Sequence, residues 1–312
     1  MVSFPVSVCL CIGVLSSMAL GADETESPCD GFCPAGWTSF GDRCFQYIAT
    51  KMNWVDAELH CLKQGGNLAS VHSEEEHQFL RELYKRHDPT ESPFWVGLTD
   101  CQKEGAWLWS DGSKVDFTRW NSHEPNNNLH GEDCVHTNWS LQKGWNDFTC
   151  NYGYAFICAL RTDAVGLSGQ AVDGEFCKES CPSGWFSFSG RCFQYFPTKK
   201  DWADAESHCV SLGGNLASVH SESEHIFLKK LLKASDPAEK PFWIGLTDCQ
   251  KEGRWMWSDG TKVDFAQWNP REPNNKRGKE HCVHSNWGGP KLFNDIRCGL
   301  GYAYICAMRI SP

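Results

Sequence analysis

The sequence predicts a disulfide-rich α+β protein made of two copies of one domain. Each copy should hold two helices, short antiparallel sheets and a long loop. Three observations predict this. Sixteen of the 18 cysteines fall into two sets at one fixed offset. Helical periodicity is confined to two stretches near the start of each copy. Short Trp- and Phe-rich runs, broken by Gly, Asn and Asp, follow them as strands follow turns.

A chain of 312 residues has room for two ordinary domains, each able to bury a core. The net charge is −10, and no Lys/Arg cluster reaches the size that nucleic acid or anionic lipid demands. Residues 1–22, MVSFPVSVCLCIGVLSSMALGA, are apolar and uncharged. Ala19, Gly21 and Ala22 suit a signal peptidase cutting just before Asp23 or one residue earlier, so this stretch reads as a signal peptide. No later segment is long and apolar enough to span a bilayer. The expectation is a secreted, extracellular chain with no membrane insertion and no nucleic-acid partner. Cys9 and Cys11 leave with the signal. The remaining sixteen, an even number in an oxidising compartment, read as a disulfide framework. CDGFC at 29–33 and CKESC at 177–181 come nearest to a zinc spacing, but no second pair follows either.

The first cysteine set is Cys29, Cys33, Cys44, Cys61, Cys101, Cys134, Cys150 and Cys158. The second is Cys177, Cys181, Cys192, Cys209, Cys249, Cys282, Cys298 and Cys306, each 148 residues after its counterpart. Trp54 and Trp202, Trp95 and Trp243, Trp109 and Trp257, and Glu124 and Glu272 keep the same offset. A period this long means whole-domain duplication rather than a solenoid. The expected plan is domain one over 29–160, a short linker over 161–176 rich in small and polar residues, and domain two over 177–309.

Within a copy, NWVDAELHCLKQGGN reads as a first helix closed by Gly65 and Gly66. SEEEHQFLRELYKR reads as a second, opened by a capping box of Ser73 and Glu76 that recurs as Ser221 and Glu224. FWVGL, AWLWSD, DFTRW and YAFICAL read as strands. The stretch from about 110 to 133 has no periodicity; loops of that length are usually functional or disordered, and flanking cysteines argue against disorder. No Ser/His/Asp constellation, phosphate loop or zinc-protease histidine pair is visible, so the chain is read as a binding protein and not an enzyme.

CPAGWTSFGDRCFQY, GGNLASVHSEEEHQFL, FWVGLTD, WLWSDG, EPN and WND follow one another in copy one. CPSGWFSFSGRCFQY, GGNLASVHSESEHIFL, FWIGLTD, WMWSDG, EPN and FND follow in copy two. In this order they resemble the C-type lectin-like domain family. The pattern looks most like the small secreted lectins of fish, a group that includes ladderlectin and the type II antifreeze proteins. The resemblance implies the cross-links Cys33–Cys44, Cys61–Cys158 and Cys134–Cys150, then Cys181–Cys192, Cys209–Cys306 and Cys282–Cys298. Cys29, Cys101, Cys177 and Cys249 are additional: they pair within each domain or bridge chains, so disulfide-linked or non-covalent oligomers stay open.

The resemblance also implies Ca²⁺ as cofactor. Calcium takes six to eight oxygen ligands from carboxylates, amide carbonyls and water. Copy one offers Glu124, Asn126, Glu132, Asn146 and Asp147; copy two offers Glu272, Asn274, Glu280, Asn294 and Asp295. In the family, two sugar hydroxyls complete such a site. The side chains that also bond to them are, by position, Glu124, Asn126, Glu132 and Asn146, with Glu272, Asn274, Glu280 and Asn294. The Glu-Pro-Asn order goes with mannose, N-acetylglucosamine and fucose, and the swapped Gln-Pro-Asp order with galactose. Pro125 and Pro273 are expected in cis bonds.

An auxiliary ion site in the family maps onto Asp100, Glu104, Asn127 and Asp133. Copy two has Asp248, Glu252 and Asn275 but His281 in the last place, so domain two is expected to hold that ion poorly. Phe293 stands where copy one has Trp145, an expected core position. Asn138-Trp139-Ser140 is a glycosylation sequon. Lys276, Arg277 and Lys279 replace Asn128, Leu129 and Gly131, so the two loops are expected to differ in glycan preference, the basic one favouring acidic glycans. The expected function is recognition of microbial or cell-surface glycans in innate immunity. The alternative is an ice-binding or venom-like protein-binding member of the same fold without sugar binding.

Overall fold

The computed structural model describes residues 33–162 and 181–310. The signal segment, Cys29, Cys177 and nearly all of the linker lie outside the described residues. Arg161, placed in the linker by sequence, is the last residue of a strand.

Copy one runs β1 (Thr38–Phe40), β2 (Arg43–Met52), α1 (Trp54–Lys63), β3 (Asn67–Leu68), α2 (Glu74–His87), β4 (Phe94–Thr99), β5 (Leu108–Trp109), β6 (Cys134–Trp139), β7 (Gly144–Phe148) and β8 (Tyr154–Arg161). The second copy repeats it as β9 (Phe186–Phe188), β10 (Arg191–Lys200), α3 (Trp202–Ser211), β11 (Asn215–Leu216), α4 (Glu222–Ser235), β12 (Phe242–Thr247), β13 (Met256–Trp257), β14 (Cys282–Trp287), β15 (Leu292–Ile296) and β16 (Tyr302–Arg309). Each copy forms one sheet. In copy one its order is β1-β2-β8-β4-β6-β7, with β3 on β8 and β5 on β4. Pairing is antiparallel except between β4 and β8, where Phe94 faces Ala155 in parallel; β12 and β16 do the same. DFTRW is not a strand: only Trp120 bridges, to Trp145.

Asn53 caps α1 by accepting from the Asp56 amide at 3.0 Å. The helix buries Trp54, Val55, Ala57, Glu58, Cys61 and Leu62, one stripe at helical spacing. Gly65 follows the cap at φ +90, which favours glycine, and a Cβ on Gly66 would sit 2.1 Å from the Ala159 oxygen. Ser73 caps α2 by accepting from the Glu76 amide at 3.1 Å. The return bond of the expected box goes elsewhere: the Glu76 carboxylate accepts from the His72 amide at 2.7 Å and pairs with Arg43, tying α2 to β2. The main core lies between α2 and the sheet, with Phe45, Leu80, Leu83, Tyr84, Phe94, Val96, Trp109, Trp145 and Ile157 buried. Burial of each such side chain contributes roughly 1.5–3 kcal/mol.

Seven disulfides are present among the described residues. Six lie within copies: Cys33–Cys44, Cys61–Cys158, Cys134–Cys150, Cys181–Cys192, Cys209–Cys306 and Cys282–Cys298. The seventh corrects the sequence reading. Cys101 bonds to Cys249, joining the two copies of one chain rather than two positions in one domain or two chains.

That bond sits in an interface with approximate two-fold reciprocity. Met256 packs into the copy-one cluster around Trp54 and Trp95, and Leu108 packs against the copy-two cluster around Trp202 and Trp243. Lys103 pairs with Asp201 and Asp204 at 3.0 and 2.7 Å, and Lys251 with Asp56 at 3.0 Å. The Asn67 amide donates to the Gly260 oxygen at 3.1 Å, and Asn215 to Gly112 at 3.0 Å. Gly112 and Gly260 are required there, since a Cβ on either would come within 3 Å of the other copy's backbone.

Candidate functional site

The loop between β5 and β6 is laid across β7. Trp145 donates its amide to the Arg119 oxygen at 2.8 Å, and Asn121 donates to the Trp145 oxygen at 2.9 Å. The Cys134–Cys150 bond ties the start of β6 to the turn beyond β7. Asn146 and Asp147 therefore lie beneath the Glu-Pro-Asn segment, far from it in sequence but adjacent in space.

The Glu124–Pro125 and Glu272–Pro273 peptides are cis. Across the first, the Asn126 amide donates to Glu124 Oε2 at 2.5 Å; Asn274 donates to Glu272 likewise. Asp147, fully buried, accepts from the Asn126 and Asn127 amides at 3.0 and 2.7 Å. Asp295 accepts from Asn274 at 3.0 Å and Asn275 at 2.6 Å. Glu132 accepts from the Asn128 amide at 2.9 Å, and Glu280 from Lys276 at 3.1 Å. In each copy the structure thus brings four of the five sequence-chosen residues into one hydrogen-bonded loop. The fifth, Asn146 or Asn294, adjoins that aspartate on the strand.

Like charge is concentrated there. Burial, then contact with Asp147 and the field of Glu132, push the Glu124 carboxyl up to about 7. Burial, Asp295 and Glu280 do the same to Glu272, also to about 7. A hard dication would relieve this repulsion, and a set of three carboxylates and two amide oxygens suits one.

His136 and His284 hold the fifth residue, a role the sequence reading missed. Burial drives both imidazoles down, to about 3 and about 4, so each ring is neutral. Asn146 Nδ2 then donates to His136 Nε2 at 2.9 Å and to the Asp147 oxygen at 2.6 Å, fixing which end of the amide remains for a ligand. Asn294 and His284 repeat this at 3.0 Å. The available signal was the repeated CVHTNW and CVHSNW, whose histidine precedes Asn146 and Asn294 by ten residues in the respective copies.

Residues 50–160 and 198–308 each match the family model described as the lectin C-type domain. The chain belongs to the C-type lectin family. It is 49% identical over 166 residues to the lactose-binding lectin l-2 of Anguilla japonica, covering 52% of this chain and 98% of that protein. It is 43% identical over 147 residues to ladderlectin of Oncorhynchus mykiss, covering 47% of this chain and 77% of that one. C-type mannose receptor 2 of Rattus norvegicus is 30% identical over 287 residues, covering 88% of this chain but 19% of the receptor. These relatives are named as lectins or receptors, not as enzymes. No helix among the described residues is long and apolar enough to cross a membrane.

The auxiliary cluster differs between the two lectin copies. In copy one, Asp100 is buried and accepts from the Gly105 amide through Oδ2 at 2.7 Å, while its Oδ1 has no hydrogen-bond partner. Burial, with Glu104, Asp133 and Asp147 nearby, pushes Asp100 up to about 7. The Asn127 amide donates to Glu104. A buried carboxylate oxygen with no donor fits a cation site. In copy two, His281 Nδ1 instead lies 3.2 Å from Asp248 Oδ1 and 3.6 Å from Glu252 Oε2.

Two further residues fall into place. Trp145 and Phe293 are both fully buried in the core. Trp145 donates to His77 at 3.3 Å; with Phe293, the equivalent His225 turns to Gln267 and Ser285. The sequon asparagine is a poor acceptor for a glycan in the folded lectin. Asn138 is buried, and its amide nitrogen donates to the Glu91 oxygen at 2.8 Å.

Proposed function

We propose that the chain is a secreted, calcium-dependent lectin that binds mannose-type glycans through one site in each copy. The observation that carries this reading is the meeting, in both copies, of Glu-Pro-Asn with a buried aspartate, a second glutamate and an oriented asparagine. Glu124, Asn126, Glu132, Asn146 and Asp147 would hold Ca²⁺ in copy one; Glu272, Asn274, Glu280, Asn294 and Asp295 would hold it in copy two. The bound ion supplies positive charge and open coordination positions that polarise two sugar hydroxyls. Around it, Glu124 and Glu132 accept from those hydroxyls, Asn126 donates, and His136 keeps the Asn146 amide in its working orientation. A shallow, wet site of this kind binds a monosaccharide weakly, with a dissociation constant on the order of millimolar. Two sites in one chain raise the effective affinity for arrayed sugars on a microbial or cell surface.

One finding favours a second sugar class: the Anguilla japonica relative is named for lactose. The test is retention of the secreted protein on immobilised mannose and immobilised lactose, each in calcium and then in EDTA. Retention on mannose with release by EDTA is the expected result. Retention on lactose alone would overturn the mannose assignment. No retention on either, with the fold intact by circular dichroism, would sink the sugar reading and favour ice or protein ligands.

The auxiliary clusters give a stoichiometry. Three calcium ions per chain are expected from equilibrium dialysis, one primary in each copy and one auxiliary on Asp100, Glu104, Asn127 and Asp133. A count of four would show that His281 does not impair the second auxiliary site.

A further inference from the structure

We propose that Asp248, Glu252 and His281 form a site for a transition-metal dication of the zinc type, chemically distinct from the oxygen-lined sites of the same chain. Among the described residues this is the one group of three His, Cys, Asp or Glu side chains whose ligand atoms all lie within 4.8 Å of one another.

The spacing decides the class of ion. A tetrahedral ion with bonds of about 2.0–2.1 Å places neighbouring ligand atoms roughly 3.3 Å apart. The His281 Nδ1 distances to Asp248 Oδ1 and Glu252 Oε2 are 3.2 and 3.6 Å, so two of the three ligand-to-ligand edges are already close to that length, and the third is within 4.8 Å. Glu252 Oε2 also accepts from the Asn275 amide, which the ion would displace or share. Imidazole with carboxylate suits zinc and its neighbours, whereas calcium takes oxygen alone. Copy one, with Asp133 where copy two has His281, keeps an all-oxygen set. One substitution between duplicated domains therefore changes the ligand chemistry from hard to borderline.

The site is also built. The Asp248 side chain is fully buried, and Gly253 donates to its Oδ2 at 2.7 Å, leaving Oδ1 facing the cluster. Outside the cluster no described group hydrogen-bonds to that oxygen. The Asp248 amide donates to the His281 oxygen at 3.0 Å, which fixes the two backbones against each other. Asp248 adjoins Cys249, bonded to Cys101, and His281 adjoins Cys282, bonded to Cys298. Two of the three ligands are thus anchored beside disulfides, the rigid support a metal site needs. Glu252 is the exposed member and completes the set from the turn that follows. Three protein ligands leave one position for water or an outside donor.

The experiment uses the full secreted chain without a polyhistidine tag, held in saturating calcium so that the primary sites are filled. Titration with Zn²⁺ by calorimetry, and with Co²⁺ by visible absorption, is expected to report one site per chain with tetrahedral cobalt character. Affinity should fall more than about tenfold in His281→Ala, since even outer-shell changes cost that much. His281→Asp should lose zinc and gain one calcium ion in dialysis. Either no zinc uptake above the His281→Ala level, or uptake indifferent to both variants, would overturn the proposal. Sugar retention is read separately, so failure here leaves the lectin reading standing.

Discussion

Glu124→Gln should abolish calcium-dependent sugar binding in copy one while leaving the calcium-free fold as stable as before, or more so. Carboxylates crowd around Asp147. Glu124 is pushed up to about 7 by burial, by Asp147 and by Glu132, so its charge opposes folding when no cation is present. Glutamine removes that charge with almost no change in volume. It also replaces an acceptor by a donor at the place where the reading needs an acceptor. In EDTA the variant should therefore melt at or above the parent temperature. With calcium at 100 times the dissociation constant, the parent gains about 2.7 kcal/mol per occupied site, and the variant should lose that increment for copy one. On a mannose-dense surface the loss should be larger than half the sites implies. Two linked sites exceed one by roughly 10²–10⁴ in apparent affinity, and Glu124→Gln or Glu272→Gln alone should forfeit most of that. Unchanged surface binding in both single variants would remove these glutamates from the site. Loss in one and not the other would assign sugar binding to a single copy.

The fold was legible where one local force acts alone. FWVGL is apolar throughout and bounded by polar residues, and all six residues of β4 (Phe94–Thr99) are buried. The two helices were legible because each carries its own cap and buried stripe. DFTRW misled because its apolar residues have the density of a strand without the ladder. Phe117 and Trp120 pack individually onto the core, and only Trp120 meets a neighbouring strand. The meeting of the loop acids and amides was legible through the resemblance, since Glu-Pro-Asn and Asn-Asp keep their order in both copies. The supporting histidines were not, because a neutral buried histidine has no sequence mark apart from its repetition. The Cys101–Cys249 bond was beyond reach for a different reason. Cysteine pairing depends on which surfaces dock, and docking rests on pieces that look ordinary alone: Leu108 and Met256 on two-residue strands, and glycines that let two backbones approach. The repeat gave two equal domains; it carried no information on how they meet.

That interface leads to the second large effect. Glu58 and Glu206 sit on the buried faces of α1 and α3 and connect each helix to the other copy. Glu58 accepts from Asn67 at 2.6 Å, the Leu68 amide at 2.7 Å and Ser110 at 2.8 Å, and the same Asn67 nitrogen donates across to Gly260. Glu206 does this with Asn215, Leu216 and Ser258. Burial outweighs these donors and pushes both carboxyls up to about 7. In the unfolded chain they ionise near the ordinary glutamate value of about 4.3. Between these values the folded state holds protons that the unfolded state has released, so stability falls as pH rises through this window and levels off above about 7. Each group contributes on the order of 3 kcal/mol to that fall. Glu58→Gln with Glu206→Gln imitates the protonated state at every pH and should remove this pair's share of the fall, leaving the share of Asp100, Glu124 and Glu272, which are pushed up to the same value. It should carry a uniform loss of about 1 kcal/mol per site, because Asn67 and Asn215 must turn to meet the new amide and release Gly260 and Gly112. Glu58→Leu is a different case: it strands three buried donors and should cost about 3 kcal/mol or more at any pH. Denaturant melts in EDTA between pH 4.5 and 8 would separate these outcomes. Parallel profiles for the parent and the double glutamine variant would mean that both glutamates stay ionised throughout, held by their three donors against the cost of burial.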